Sequence, residues 1–166
     1  LAWFSLLFLE EKVEKWAVLF LALLDPLSSE EAKTLAKDLG VRSCVREWVR
    51  ICKDEGMGIV QQLVLTPKIS RKAIHDILSV APNEVILYLM AWSKHPDIKR
   101  YISLYFTQLK NVRLQIRGQD LLDLGYRPGP LFKEIFDAVL ERRFCGDLRS
   151  KAEEIAFVLD RFPKAV

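Results

Sequence analysis

Apolar residues recur at helical spacing in segment after segment of this chain. Val45, Trp48, Val49 and Cys52 sit at i, i+3, i+4 and i+7, which places them on one face of a helix. The same period is repeated by Ala73, Ile74, Ile77 and Leu78, and then by Val85, Ile86, Leu89 and Trp92. It returns in Ile98, Tyr101, Ile102, Tyr105 and Leu109, in Phe132, Ile135, Phe136, Val139 and Leu140, and in Ile155, Val158, Leu159 and Phe162. No convincing alternation at period two is present, so the expected class is all-α.

The helix punctuation agrees. Ser28 with Glu31 and Ser150 with Glu153 have the spacing of capping boxes. Ser43 and Ser70 are placed to cap the helices that follow them. Pro82, Pro96 and Pro130 suit helix starts, where a missing N–H is not needed. Asp25-Pro26, Gly40, Gly146 and Pro163 read as stops, and Gly56 and Gly58 as a break before the short apolar piece Ile59–Leu65. Leu35, Ala36 and Leu39 are expected on an inner face. Leu1–Leu9 and Val13–Leu24 are nearly apolar all round, which predicts burial of both. Charged residues separate these runs, and a membrane span needs about 20 continuous apolar residues, so core helices fit better.

Three glycines and two prolines crowd into Gly118–Pro130. Leu121 and Leu124 share one side of a short helical turn that Gly125 can end in the left-handed conformation. Pro128 holds the chain extended, and Pro130 opens a new helix. The product is a stiff elbow. The helix N-terminus after Gly129 could receive an anion, with Arg127 and Lys133 beside it. A corner that only turns the chain is the plainer reading.

Charge is uneven along the chain. The formal net charge is +3, but residues 94–117 carry six basic and one acidic side chain, and residues 42–72 seven and three. The first of these blocks runs directly into the elbow. A solvated helix face is the ordinary explanation for such a block. Cys44, Cys52 and Cys145 lack metal-ligand spacing, are odd in number and follow no secretory signal. Buried thiols in a reducing compartment are therefore expected. The chain opens on Leu1 rather than Met, which reads as a fragment or a processed chain.

Catalytic signatures are missing: there is no phosphate-binding glycine-lysine loop, dinucleotide glycine fingerprint, nucleophile elbow or His-Glu-x-x-His. His75 sits beside the Ile74/Ile77/Leu78 stripe as a half-buried structural histidine, and His95 as a helix-start residue. The acid pairs Glu10/Glu11, Glu30/Glu31 and Glu153/Glu154 suit exposed faces and helix starts better than acid–base chemistry. Tyr101, Tyr105 and Phe106, with Lys99, Arg100 and Lys110 nearby, could stack on bases, although the stripe already accounts for the two tyrosines as core. Ser29–Arg50 has the outline of a helix-turn-helix, with Arg42, Ser43, Arg46 and Glu47 positioned to enter a DNA groove. A plain helix pair joined at Gly40 explains the same pattern.

The run Gly118-Gln119-Asp120-Leu121, then Leu124-Gly125-Tyr126-Arg127-Pro128-Gly129-Pro130, followed by Ile135, Val139 and Leu140, resembles the C-terminal segment of bacterial class II tRNA nucleotidyltransferases and poly(A) polymerases. The pattern Gly-x-Asp-Leu-x-x-Leu-Gly-x-x-Pro-Gly-Pro fixes eight positions and is sharp over about 112–162. The opening through Leu24 looks like the helical body of longer members that carry additional modules. The resemblance implies an irregular multi-helix body, residues 1–110, and a helical tail, residues 111–166, or one continuous helical unit. It implies that these hold the tRNA elbow while a separate head adds A or CCA from ATP or CTP with Mg²⁺ in the cytoplasm. The head's Gly-Ser loop, Asp-x-Asp pair and Glu-Asp-x-x-Arg do not occur in this chain, so no catalytic or metal-binding residue is assigned. Where such proteins often have a small hydroxyl residue before the first glycine, this chain has Arg117, which weakens the cap and adds a cation. The expected RNA-contacting set is Lys110, Arg113, Arg117, Gly118, Arg127, Gly129 and Lys133. A helix-turn-helix DNA binder and a helical scaffold without nucleic acid are the alternatives.

Overall fold

A computed structural model describes residues 13–66 and 68–163, and among these residues the chain is helical with no strand. The helices are α1 (Lys15–Leu23), α2 (Ser29–Asp38), α3 (Ser43–Arg50), α4 (Gly56–Leu65), α5 (Arg71–Leu78), α6 (Asn83–Trp92) and α7 (Pro96–Leu104). Beyond these come α8 (Gly118–Asp123), α9 (Pro130–Cys145) and α10 (Lys151–Arg161). The all-α expectation holds for the described residues.

Helix α6 is the centre of the larger core. Every residue from Glu84 to Leu89 is buried, and α1, α4 and α7 pack around it. The core runs from Val18 to Leu109 and takes in Phe144 from α9. A second, smaller cluster gathers Ile116, Leu121, Tyr126, Ile135, Val139 and Val158. Helix α9 thus serves both clusters: Ile135 and Val139 face one, and Phe144 faces the other.

Local chemistry explains most of the boundaries. Ser28 and Glu31 form the full capping box. The Ser70 hydroxyl accepts from the Ala73 N–H, and the Ser150 hydroxyl from the Glu153 N–H. His95 caps α7 through its ring, which accepts the Asp97 N–H at 3.3 Å. Gly40, Gly125 and Gly146 end their helices at φ 64°, 85° and 84°, the region only glycine enters without cost.

Some expectations fail. Ser43 does not cap α3; Arg42 holds the cap position without a side-chain bond, and Ser43 lies inside the helix. Gly56 and Gly58 do not break the chain, because α3 continues into α4 through a wide π-helical turn at Ile51–Glu55. Gly56 is buried there, and a Cβ on it would come within 3.2 Å of Leu89 Cδ2. The glycine permits close approach to α6 rather than ending a helix. On α2 the inner face is Ala32 and Ala36, while Leu35 and Leu39 are exposed; small side chains let α2 lie close to α3. Helix α1 buries Ala17, Val18 and Leu21 but leaves Trp16, Leu19 and Leu23 exposed, because only one side of it meets α6. Trp92 and Leu159 are likewise partly exposed where inward positions were expected. Leu1–Leu9 lies outside the described residues. No described helix is long and apolar enough to cross a membrane.

Candidate nucleic-acid interface

The segment from Lys110 to Arg117 leaves the helical pattern, and its exposure alternates. Arg113, Gln115 and Arg117 are exposed, Val112 and Leu114 are half-buried, and Ile116 is buried in the smaller core. The two arginines are thus exposed where Ile116 between them is buried, and they emerge away from it.

Two side chains from distant helices hold this segment. Glu154, fully buried on α10, accepts the Gln115 N–H at 3.0 Å and the Ile116 N–H at 2.8 Å. Its partner is Arg143 on α9, with Nε 3.2 Å from Glu154 Oε1. Arg143 also donates to the carbonyl oxygens of Arg113 at 3.0 Å and Leu148 at 3.2 Å. A buried carboxylate needs such partners, since leaving it unpaired costs several kcal/mol. Glu153 and Glu154 lie in the first turn of α10, as expected of a helix-start pair, but Glu154 is buried rather than exposed. Sequence reading misses this role because Glu154 looks like one half of an acidic helix start, and the two backbone N–H groups it accepts lie 38 and 39 residues away.

The Arg117 N–H donates to Asp120 Oδ2 at 2.7 Å, and Arg117 makes no side-chain cap of its own. Asp120 also pairs with Lys151 Nζ at 2.6 Å. Lys151 and the Arg117 N–H hold the Asp120 carboxyl below the usual aspartate range. Helix α8 closes with the Gly125 N–H on the Leu122 carbonyl at 2.7 Å and the Tyr126 N–H on the Leu121 carbonyl at 3.0 Å. The Tyr126 hydroxyl then reaches the Phe162 carbonyl at 2.7 Å and ties the elbow to the end of α10.

The expected contact residues fall into three kinds. Arg113, Arg117, Arg127 and Lys133 are exposed, and none is in an ion pair among the described residues. The Arg113 guanidinium lies 3.2 Å from the Lys110 and Val112 carbonyl oxygens. Lys110 is half-buried, and its ammonium meets Asn83 Oδ1 at 2.9 Å and the Phe106 ring at 5.4 Å. That leaves it bound inward and a poor phosphate contact. Gly118 and Gly129 have open space where a Cβ would stand, and neither has a left-handed φ. The anion-facing end of α9 is smaller than expected: Pro130 has no N–H, and the Phe132 N–H turns back to the Gly129 carbonyl at 3.0 Å.

In the other basic block three of the seven cations, Arg42, Arg50 and Lys72, meet carboxylates. Arg42 pairs with Glu14, and Arg50 with Glu47 at 2.7 Å and Glu55 at 2.8 Å. Lys53 donates to the Asp25 and Leu27 carbonyls, and Lys72 pairs with Asp76 and Asp137. Arg46 is exposed and outside these pairs, but one arginine does not make a groove-reading helix. The stacking set dissolves as well, since Tyr105 and Phe106 are buried and Arg100 lies over Tyr101. His75 packs against Phe144 at 4.8 Å in its structural role. Cys52 is buried, and burial pushes its thiol up to about 12. Cys44 and Cys145 are exposed, against the expectation of buried thiols. Among the described residues no three His, Cys, Asp or Glu side chains gather as a metal site.

Helices, two apolar clusters and an exposed cationic elbow define an all-α chain among the described residues. Known proteins that resemble it share one activity. The chain is 36% identical over 161 residues to the A-adding tRNA nucleotidyltransferase of Geobacter sulfurreducens, a match that covers 93% of this chain and 18% of that protein. It is 27% identical over 104 residues to the A-adding tRNA nucleotidyltransferase of Halalkalibacterium halodurans, covering 63% of this chain and 24% of that protein. No family model and no solved structure matches. The chain is similar to these two proteins, and it spans about a fifth of the length of the curated relatives it matches.

Proposed function

We propose that this chain is the tRNA-binding body and tail of a nucleotidyltransferase that adds nucleotides to tRNA 3′ ends, with the chemistry on a catalytic head elsewhere in the full-length protein. The observation that carries the reading is the similarity along 93% of the chain. The exposure of Arg113, Arg117, Arg127 and Lys133 around the elbow, with none of them in an ion pair among the described residues, supports it. Arg113, Arg117, Arg127 and Lys133 would neutralise backbone phosphates without reading bases, as suits an RNA recognised by its shape. Both relatives are named as A-adding, which favours AMP over CCA as the product of the head. Such a head would use ATP and Mg²⁺, in the cytoplasm where tRNA is matured, and no step of that chemistry is assigned to the residues of this chain.

The test is binding of the chain to a tRNA acceptor–TΨC minihelix and to a DNA duplex of equal length, across a salt series. RNA should be preferred, and Arg113→Glu with Arg117→Glu should lower the salt slope by at least about 1.8, at about 0.9 for each phosphate that is no longer neutralised. Equal RNA binding by this double variant would overturn the assignment. DNA preference abolished on changing Arg42 and Arg46 would instead move the function to α3.

A further inference from the structure

We infer that Glu154 and Arg143 are positioning residues for RNA: they fix which face of the 113–117 segment points outward, and so set whether Arg113 and Arg117 can reach phosphate. The inference rests on the proposed tRNA reading and adds a coupling between α10, α9 and the elbow.

The geometry is specific. Arg113 and Arg117 lie outside any helix interior, so no helical hydrogen-bond ladder orients them. Their outward direction depends on the alternation that buries Ile116. That alternation is held by the two N–H groups donated to Glu154 and by the Arg113 carbonyl held by Arg143. Because exposure alternates along 112–117, a slip of one residue would turn both arginines inward and expose Ile116. The pair itself is unsuited to contacting RNA: Glu154 is fully buried and the Arg143 side chain is 14% exposed. Both act on the arginines through the backbone between them.

The sign of one substitution separates this role from plain electrostatics. Glu154→Gln makes the chain more positive by one unit, so a charge-only account predicts tighter RNA binding. Positioning predicts weaker binding, because the amide gives up one of the two carboxylate oxygens that serve Gln115, Ile116 and Arg143. Arg143→Lys keeps the charge and loses the fork that spans Glu154, the Arg113 carbonyl and the Leu148 carbonyl, so it serves as the second variant if Glu154→Gln does not fold.

The experiment measures minihelix affinity across a salt series for the chain, for Glu154→Gln, for Arg143→Lys, and for each combined with Arg113→Ala and Arg117→Ala. Circular dichroism confirms helix content, and hydrogen exchange reads the Gln115 and Ile116 amides. Both positioning variants should weaken binding, with a salt slope reduced by up to about 1.8. Adding the alanines should then change little, and the two amides should exchange faster. Binding as tight as that of the starting chain, or tighter, in a folded variant overturns the inference while leaving the tRNA reading intact. So does a full additive effect of the alanines. A starting chain that does not bind the minihelix removes the tRNA reading and this inference together.

Discussion

Leu121 and Leu122 are neighbours on α8 with opposite fates, and truncating each in turn tests whether the elbow is a packed corner. Leu121 is fully buried in a cluster of six buried residues, while Leu122 is 41% exposed. Leu121→Ala removes a buried isobutyl group and leaves a cavity, for which core leucines lose about 2.7–5 kcal/mol. The cluster is small and bordered by half-buried Leu114, Leu124, Phe132 and Phe136, which can relax into part of the space. That argues for the lower end, about 3 kcal/mol. Leu122→Ala should stay within about 0.5 kcal/mol, as exposed substitutions usually do. Urea unfolding followed by circular dichroism gives both numbers, and native-state hydrogen exchange locates the loss. Helix α9 contributes to both clusters, so one cooperative transition is expected, with exchange accelerated first in 114–126. A loss below about 1 kcal/mol for Leu121→Ala, or equal losses for the two leucines, would refute the argument that the small cluster holds the elbow.

Two further outcomes follow from local geometry. Gly125→Ala forces a side chain into the left-handed region at φ 85° and should cost about 1–2 kcal/mol, lowering the melting temperature by several degrees; Gly118→Ala, with open space and no positive φ, should be neutral or stabilising. Asp120, Asp54 and Glu31 all have carboxyls held below their ordinary range, mainly by bonds to Lys151, Ser29 and Ser28 respectively. Their contribution is complete above the unfolded-chain values near pH 4 and is lost as pH falls through the lower folded values. The chain should therefore lose stability on acidification below about pH 4, and Asp120→Asn should make that acid limb shallower; an unchanged acid limb would remove Asp120 from this account.

Much of the fold is legible in the sequence because helices announce themselves locally. A stripe at 3.6-residue spacing, a serine three residues before a glutamate and a glycine past the last turn all act within one or two turns of chain. Those signals place α2, α5, α6, α7, α9 and α10 close to where they lie. They fail where a residue's partner belongs to another element. Gly56 reads as a breaker by propensity, yet it sits within a continuous helix because Leu89 on α6 needs its space. Leu35 and Leu39 read as core by hydrophobicity, yet Ala32 and Ala36 take the interface because α3 lies close.

The candidate site divides along the same line. The glycines, prolines and arginines of 113–133, the helical class and the family resemblance are properties of the sequence by itself, since each is carried by residue type and spacing. Which distant carboxylates meet a cation is decided by tertiary structure: packing brings Glu14 to Arg42 and Asp137 to Lys72, and brings none to Arg113, Arg117 or Arg127 among the described residues. So is the role of Glu154, because a carboxylate becomes a structural clamp only when folding removes it from water and sets two backbone N–H groups and a guanidinium around it.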